Sequence, residues 1–113
     1  AENAAFYALS RPIPYDAKAV KLLDRAGANL LADLRSVLSN ISAWAQPILE
    51  TVVHEHSLAT EVKLGQIAQP MRAAVTGRTA SPNIFEVLEI LGKDEVLGRL
   101  DDAIAAHSTR VRA

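Results

Sequence analysis

The stretch of sequence that decides the fold is residues 63–93, which read KLGQIAQPMRAAVTGRTASPNIFEVLEILGK. Apolar residues recur there every three to four positions, which is the period of a helix that packs on one face. A first helix is predicted over Leu64–Thr76 and ends at Gly77, because glycine readily adopts the left-handed conformation that closes helices. A second is predicted over residues 81–92, where Ser81-Pro82 supplies the N-cap and the first helical residue.

Helical spacing of apolar residues continues outside this stretch. Further helices are predicted over about residues 16–27, 29–40, 45–57 and 94–106, the first of them capped by Asp16. Residues 1–15 are expected to be irregular, because their two prolines force an extended path, and 107–113 to form a polar tail. No segment alternates with period two. The prediction is one all-α domain, a compact bundle of five or six short helices with a first half at 16–62 and a second at 63–106.

The composition excludes several classes of protein. Cysteine is absent, which rules out a disulfide framework and a cysteine-based zinc site. No apolar run approaches the length of a membrane span, so no membrane partner is expected. The chain begins with Ala1 rather than Met, which predicts a fragment or a processed form rather than a whole gene product. A cytoplasmic location and a monomer are expected.

Polar side chains that could carry catalysis do not form a recognisable set. His54 and His56 are two residues apart on a predicted helix, so they point in different directions and cannot share a metal. His107 is expected in the last helical turn, where a cation suits the helix dipole. Glu86 and Glu89, like Asp101 and Asp102, could form acid/base pairs, but solvated helix faces that also carry Lys93 and Arg99 are favoured. The sequence therefore predicts no catalytic residue, no metal and no cofactor for this chain.

Positive charge is concentrated in one part of an otherwise acidic chain. The net charge is −1, yet the residues from Lys63 to Phe85 hold three cations, the others being Arg72 and Arg78, and no acid. Removing this stretch leaves nine cations and thirteen acids. Arg72 falls on the flank of the predicted helix, where its stem can be buried and its guanidinium exposed. That guanidinium could contact a nucleic-acid base or phosphate, or it could pair with a nearby carboxylate.

Phe85 stands in the first turn of the following helix. A helix N-terminus offers free N–H groups, and an aromatic ring beside it offers a plane on which an unstacked base can lie. The alternative is that Phe85 belongs to the core and Ser81 is only a cap.

Residues 63–93 as a whole resemble the last conserved stretch of bacterial glutamyl-tRNA synthetases. The shared pattern is Lys-Leu-Gly, Ala-Gln-Pro-Met-Arg and Thr-Gly in the first helix, then Ser-Pro, Phe-Glu and Leu-Gly-Lys in the second. The segment Pro14–Ala19 is similar to the start of the family's C-terminal anticodon-binding domain, and Trp44 stands where that family often has a tryptophan. The resemblance implies an all-helical domain that encloses the anticodon loop of tRNA(Glu).

The resemblance also implies which residues contact the anticodon. The five positions that match are Arg72, Ser81, Pro82, Ile84 and Phe85. Lys63 and Arg78 are candidate phosphate contacts on charge alone, joined by Gln69 and Thr76 on the flank of the helix that carries Arg72.

The chain lacks the two catalytic signatures that are typical of this family. Glutamate, ATP and Mg²⁺ are therefore expected to bind elsewhere in a parent enzyme. The rest of that enzyme is the second partner, besides tRNA, that the resemblance implies. Whether that enzyme charges only the glutamate tRNA or also the glutamine tRNA is left open. An alternative interpretation is a non-catalytic protein-interaction domain, which would replace the polar surroundings of Phe85 with an apolar patch.

Overall fold

The computed structural model describes residues 7–112 and contains five α-helices there. The first six residues of the predicted irregular segment, and Ala113, lie outside the described residues. The helices are α1 (Ala17–Ser39), α2 (Gln46–Thr60), α3 (Leu64–Thr76), α4 (Ile84–Leu91) and α5 (Lys93–Arg112). The all-α prediction is confirmed, although α1 and α5 are not short.

Helix α1 joins two segments that the sequence predicts as separate helices. Gly27 lies inside it with φ 80° and ψ 165°, far from helical values, so the chain kinks where the sequence predicts an end. The predicted cap at the start of α1 is present, since the N–H of Ala19 donates to Oδ1 of Asp16 at 2.8 Å.

The core is built from aliphatic side chains of all five helices. Helix α1 packs mainly on α5 and α3, while α2 packs on α1 and α4. Fully buried residues include Leu23 and Leu34 of α1, Met71 of α3 and Leu100 of α5. Leu64 is 38% exposed because it lies in the first turn of α3, at the edge of the buried face.

Three polar contacts join the segment between α1 and α2 to the end of α4 and the start of α5. Nε1 of Trp44 donates to the carbonyl oxygen of Leu88 at 2.8 Å, and Nζ of Lys93 donates to that of Ile41 at 2.6 Å. The Glu89 carboxylate accepts from the N–H of Gln46 at 2.7 Å. Glu89 therefore satisfies the first free N–H of α2, a role that its place on a predicted solvated face did not suggest.

Two predicted helix boundaries are wrong. The last helix continues to Arg112, so residues 107–112 are not a tail and His107 is not in its last turn. The reason is tertiary, because His107 and Arg110 both reach Asp24 on α1, at 2.9 Å and 2.8 Å. Helix α4 begins at Ile84, and its N-cap is Asn83, whose Oδ1 accepts from the N–H of Phe85 at 2.9 Å.

Candidate nucleic-acid interface

The C-terminal end of α3 is closed by its own side chains and by a glycine. Thr76 is 1% exposed, and its hydroxyl donates to the carbonyl oxygen of Arg72 at 2.8 Å while accepting from the N–H of Arg78 at 3.1 Å. Gly77 follows with φ 74°, and its N–H donates to the carbonyl oxygen of Ala73. Thr76 was predicted as a candidate phosphate contact. Its hydroxyl is buried and makes the hydrogen bonds of this turn, so it is not available to a phosphate.

This turn is docked against the segment that precedes α1. The N–H of Asp16 donates to the carbonyl oxygen of Gly77 at 2.9 Å, and a Cβ at position 77 would collide with the carbonyl oxygen of Pro14. Position 77 therefore requires glycine for two reasons, its positive φ and the close approach of another backbone. The neighbouring Tyr15 is half-buried, and burial, with a smaller contribution from the Asp102 carboxylate, raises the pKa of its hydroxyl.

Arg72 and Ser81 form a direct pair across the loop between α3 and α4. Nε of Arg72 donates to the hydroxyl oxygen of Ser81 at 2.9 Å. Within residues 7–112, the two terminal nitrogens of Arg72 have no hydrogen-bond or ion-pair partner. The carboxylate partner that the alternative interpretation required is therefore not found among these residues, and two donor groups are left for a ligand.

Ser81 and Pro82 do not have the helix-starting roles that the sequence predicts. Because Asn83 caps α4, the Ser81 hydroxyl is not a cap and Pro82 is not a helical residue. Ser81 instead orients Arg72 and donates to the carbonyl oxygen of Pro82 at 2.9 Å. Ser81 and Pro82 are both partly exposed, so both are part of the surface next to Arg72.

The two apolar residues at the start of α4 have different environments. Ile84 is 4% exposed and belongs to the core, so it supports this surface from below and offers a ligand little area. Phe85 is partly buried and packs on the core from its edge, which leaves part of the ring open to solvent. Of the pair, only Phe85 has the exposed aromatic surface that stacking requires.

The remaining candidate phosphate contacts do not lie together on one part of the surface. Gln69 is exposed and lies one helical turn before Arg72, and Arg78 is exposed directly after Gly77. Lys63 is the N-cap of α3, at the opposite end of a helix that is roughly 20 Å long. The three cations that are neighbours in the sequence therefore form two separate groups, and Lys63 stands apart from Arg72 and Arg78.

Two further cations, which the sequence did not identify as candidate contacts, lie at or behind this surface. Lys18 is exposed in the first turn of α1, two residues from Asp16, whose N–H bonds to Gly77. Arg99 was predicted on a solvated face but is only 1% exposed. The resemblance around Asp16 gave a signal for Lys18. Nothing local indicates that Arg99 is buried, because its two backbone acceptors, the carbonyl oxygens of Val75 and Leu9, are distant in sequence.

A family model described as an anticodon binding domain matches residues 1–104. The chain belongs to the anticodon-binding domain family. This match confirms the anticodon-binding domain that the resemblance implied, and it covers nearly the whole chain.

Curated relatives of this anticodon-binding domain are glutamate–tRNA ligases. The chain is 53% identical over 108 residues to glutamate–tRNA ligase 2 of Rhodospirillum rubrum, covering 96% of this chain and 23% of that protein. It is 48% identical over 105 residues to glutamate–tRNA ligase of a Bradyrhizobium species, covering 93% and 22%. The chain thus spans about a quarter of the length of the relatives that it matches.

Solved structures with the same fold include two proteins from Elizabethkingia. A glutamate tRNA ligase of Elizabethkingia meningosepticum, crystallised with its amino acid, matches with a TM-score of 0.80 at 24% identity, covering 92% of this chain and 20% of that one. A glutamate–tRNA synthetase of Elizabethkingia anophelis gives 0.78 at 22% identity. At these identities the likeness supports the fold of the domain.

The described part of the chain contains neither a metal-binding cluster nor a membrane-spanning helix. Between residues 7 and 112, no set of three or more His, Asp or Glu side chains is arranged to hold a metal ion. Over the same range, no helix has both the length and the apolar character needed to cross a membrane.

Proposed function

We propose that this chain is the anticodon-recognition domain of a glutamyl-tRNA synthetase and that it binds the anticodon loop of tRNA(Glu). The observation that carries the proposal is the Arg72–Ser81 pair, which holds an arginine at a partly exposed surface with its terminal nitrogens unpaired among residues 7–112. Such a guanidinium can donate two parallel hydrogen bonds to a base edge or a phosphate. These two residues are also positions at which the family resemblance implies anticodon contacts.

The surface around this pair supplies the other interactions that a single-stranded loop needs. Phe85 offers a partly exposed ring for stacking, and Ser81 and Pro82 form the wall beside it. Arg78 and Lys18 lie on the two segments joined by the Asp16–Gly77 hydrogen bond, so they can neutralise phosphates on one side of the loop. Gln69 extends the polar surface along α3, and Lys63 would contact a more distant part of the backbone.

The activity of the whole protein is part of the same proposal. The rest of the synthetase would bind glutamate, ATP and Mg²⁺ and carry out aminoacylation in the cytoplasm, while this domain selects the tRNA. On its own the chain is expected neither to activate glutamate nor to charge tRNA, because it carries none of the family's catalytic signatures.

The alternative of a protein-interaction domain lacks the feature that would support it. That interpretation needs an apolar rim around Phe85, and the neighbouring Asn83 and Glu86 are both exposed and polar. We therefore favour the nucleic-acid partner.

The test is a titration of the chain with tRNA(Glu) and, in parallel, with an unrelated tRNA. We expect tighter binding of tRNA(Glu), and a log–log salt dependence that corresponds to about three to five neutralised phosphates. A tRNA(Gln) arm shows whether the domain separates the two tRNAs. Equal affinity for the unrelated tRNA, or binding that does not change with salt, would overturn the proposal.

A further inference from the structure

Arg99 is a buried cation whose guanidinium is shared by three parts of the chain. Its Nε donates to Oε2 of Glu95 at 2.7 Å, its Nη1 to the carbonyl oxygen of Val75 at 2.6 Å, and its Nη2 to that of Leu9 at 3.2 Å. All three nitrogens thus have an acceptor, which is the condition under which a guanidinium can be buried.

The bond to Val75 satisfies a group that the helix itself cannot satisfy. Val75 lies in the last turn of α3, where carbonyl oxygens have no N–H donor four residues later in the helix. The neighbouring carbonyls of Arg72 and Ala73 are satisfied locally, by the Thr76 hydroxyl and the Gly77 N–H. Arg99 supplies the donor for the Val75 carbonyl from α5, and a positive charge at the C-terminal end of a helix also interacts favourably with its dipole.

The segment held in this way is the one that carries the proposed contacts with RNA. Arg72 lies one turn before the end of α3, and Arg78 follows directly after it. Leu9, the other carbonyl that Arg99 holds, belongs to the segment that leads to Asp16, whose N–H bonds to Gly77. Arg99 therefore fastens the end of α3 both directly and through the segment that packs on it.

We propose that Arg99 is a positioning residue for anticodon recognition, an inference that rests on the proposed function. Arg99 does not touch the RNA, but it determines where Arg72 and Arg78 lie. A buried ion pair alone adds little stability relative to apolar side chains of similar volume. What only arginine supplies at this position is a planar fork that reaches three separate acceptors, which a lysine cannot do.

The experiment is a double-mutant cycle between Arg99→Lys and Arg72→Ala. Affinity is measured for an RNA hairpin carrying the anticodon loop of tRNA(Glu), at a temperature where melting curves show every variant folded. If Arg99 acts through Arg72, Arg99→Lys weakens binding about tenfold when Arg72 is present and about twofold or less when it is Ala. A purely structural role would give the same loss in both backgrounds.

Two further variants keep the result interpretable. Leu49→Ala removes a fully buried side chain of α2, which supplies none of the polar contacts of Arg99, and serves as a control for general destabilisation. Should Arg99→Lys fail to fold, Glu95→Gln replaces it in the cycle, because it keeps the buried arginine and removes only the charge of its partner. We expect Glu95→Gln to weaken binding about threefold, again only when Arg72 is present.

The outcomes separate this inference from the function on which it rests. Failure of the wild-type chain to bind the hairpin overturns the proposed function and this inference with it. Normal binding by the wild type together with unchanged affinity in the Arg99 or Glu95 variant overturns the positioning role alone. So does an equal loss in both Arg72 backgrounds, or an equal loss in Leu49→Ala.

Discussion

The Nε of Arg72 donates a hydrogen bond of 2.9 Å to the hydroxyl oxygen of Ser81, nine residues later and on the far side of the loop between α3 and α4. The Ser81 hydroxyl in turn donates to the carbonyl oxygen of Pro82 at 2.9 Å, which fixes its own orientation. The guanidinium is thereby held in one direction before any ligand arrives. A preoriented side chain loses less conformational entropy on binding than a mobile one.

The first prediction concerns Arg72 itself. Arg72→Ala should weaken binding of the anticodon hairpin by about 1–3 kcal/mol, because it removes a multi-donor contact to a base or phosphate. Its cost to folding should be below about 1 kcal/mol, since the buried face of α3 is unchanged and alanine favours helix. Isothermal titration and thermal melting measure the two effects separately.

The matched control is Arg35→Ala, which removes an exposed arginine that pairs with Asp101 on α5. It should change stability by about the 0–1 kcal/mol typical of a surface ion pair and leave RNA affinity as it was. If Arg72→Ala melts the domain and spares affinity, Arg72 has a structural role and the proposed contact is incorrect.

The second prediction contrasts the two apolar residues that begin α4. Phe85→Ala should lower both stability and affinity, each by about 1–3 kcal/mol, because its ring is shared between the edge of the core and the surface. Ile84→Val should cost about 0.5–1.5 kcal/mol of stability and leave affinity unchanged, because Ile84 is 4% exposed. An Ile84 variant that lost affinity at full stability would show that Ile84, and not Phe85 alone, contacts the RNA.

The third prediction concerns the glycine that ends α3. Gly77→Ala should destabilise the domain by roughly 2 kcal/mol or more, because φ is positive there and the new Cβ would meet the carbonyl oxygen of Pro14. Gly65→Ala is the control on the same helix, where a Cβ would meet nothing within 4 Å. That substitution should stabilise by about 0.5–1 kcal/mol through helix propensity, and urea unfolding of both variants tests the difference.

The fourth prediction is a pH dependence centred on Asp24. The hydrogen bond from Arg110, and then that from His107, lowers the pKa of the Asp24 carboxyl below its usual value. A carboxylate with a lowered pKa stabilises the fold at neutral pH, and this contribution is lost as the pH falls below about 4. Asp24→Asn should therefore lower the melting temperature at pH 7, by an amount that shrinks steadily as the pH is taken through 4.

The control for this prediction is Asp33→Asn, on the same helix. Among residues 7–112, Asp33 has no ion-pair partner, so its substitution should change the melting temperature little at either pH. If the difference between wild type and Asp24→Asn persisted unchanged in acid, the contact between α1 and the end of α5 would not depend on the charge of Asp24.

Features that the sequence determined by itself are those set by neighbouring residues. The span of α3 and its end at Gly77, the cap at Asp16 and the break at Gly27 all follow from helical periodicity, side-chain capping and the conformational freedom of glycine. The family followed from a contiguous run of about thirty residues, for which no knowledge of packing was needed.

Tertiary structure alone decided the features that depend on distant partners. It buried Arg99, whose acceptors include a carbonyl 90 residues away, and it extended α5 past His107 through a contact 83 residues away with Asp24. It also separated Lys63 from Arg78, because a helix places its two ends far apart however close they are in sequence. Local propensity is set by a few adjacent side chains, whereas these contacts exist only once the helices have packed.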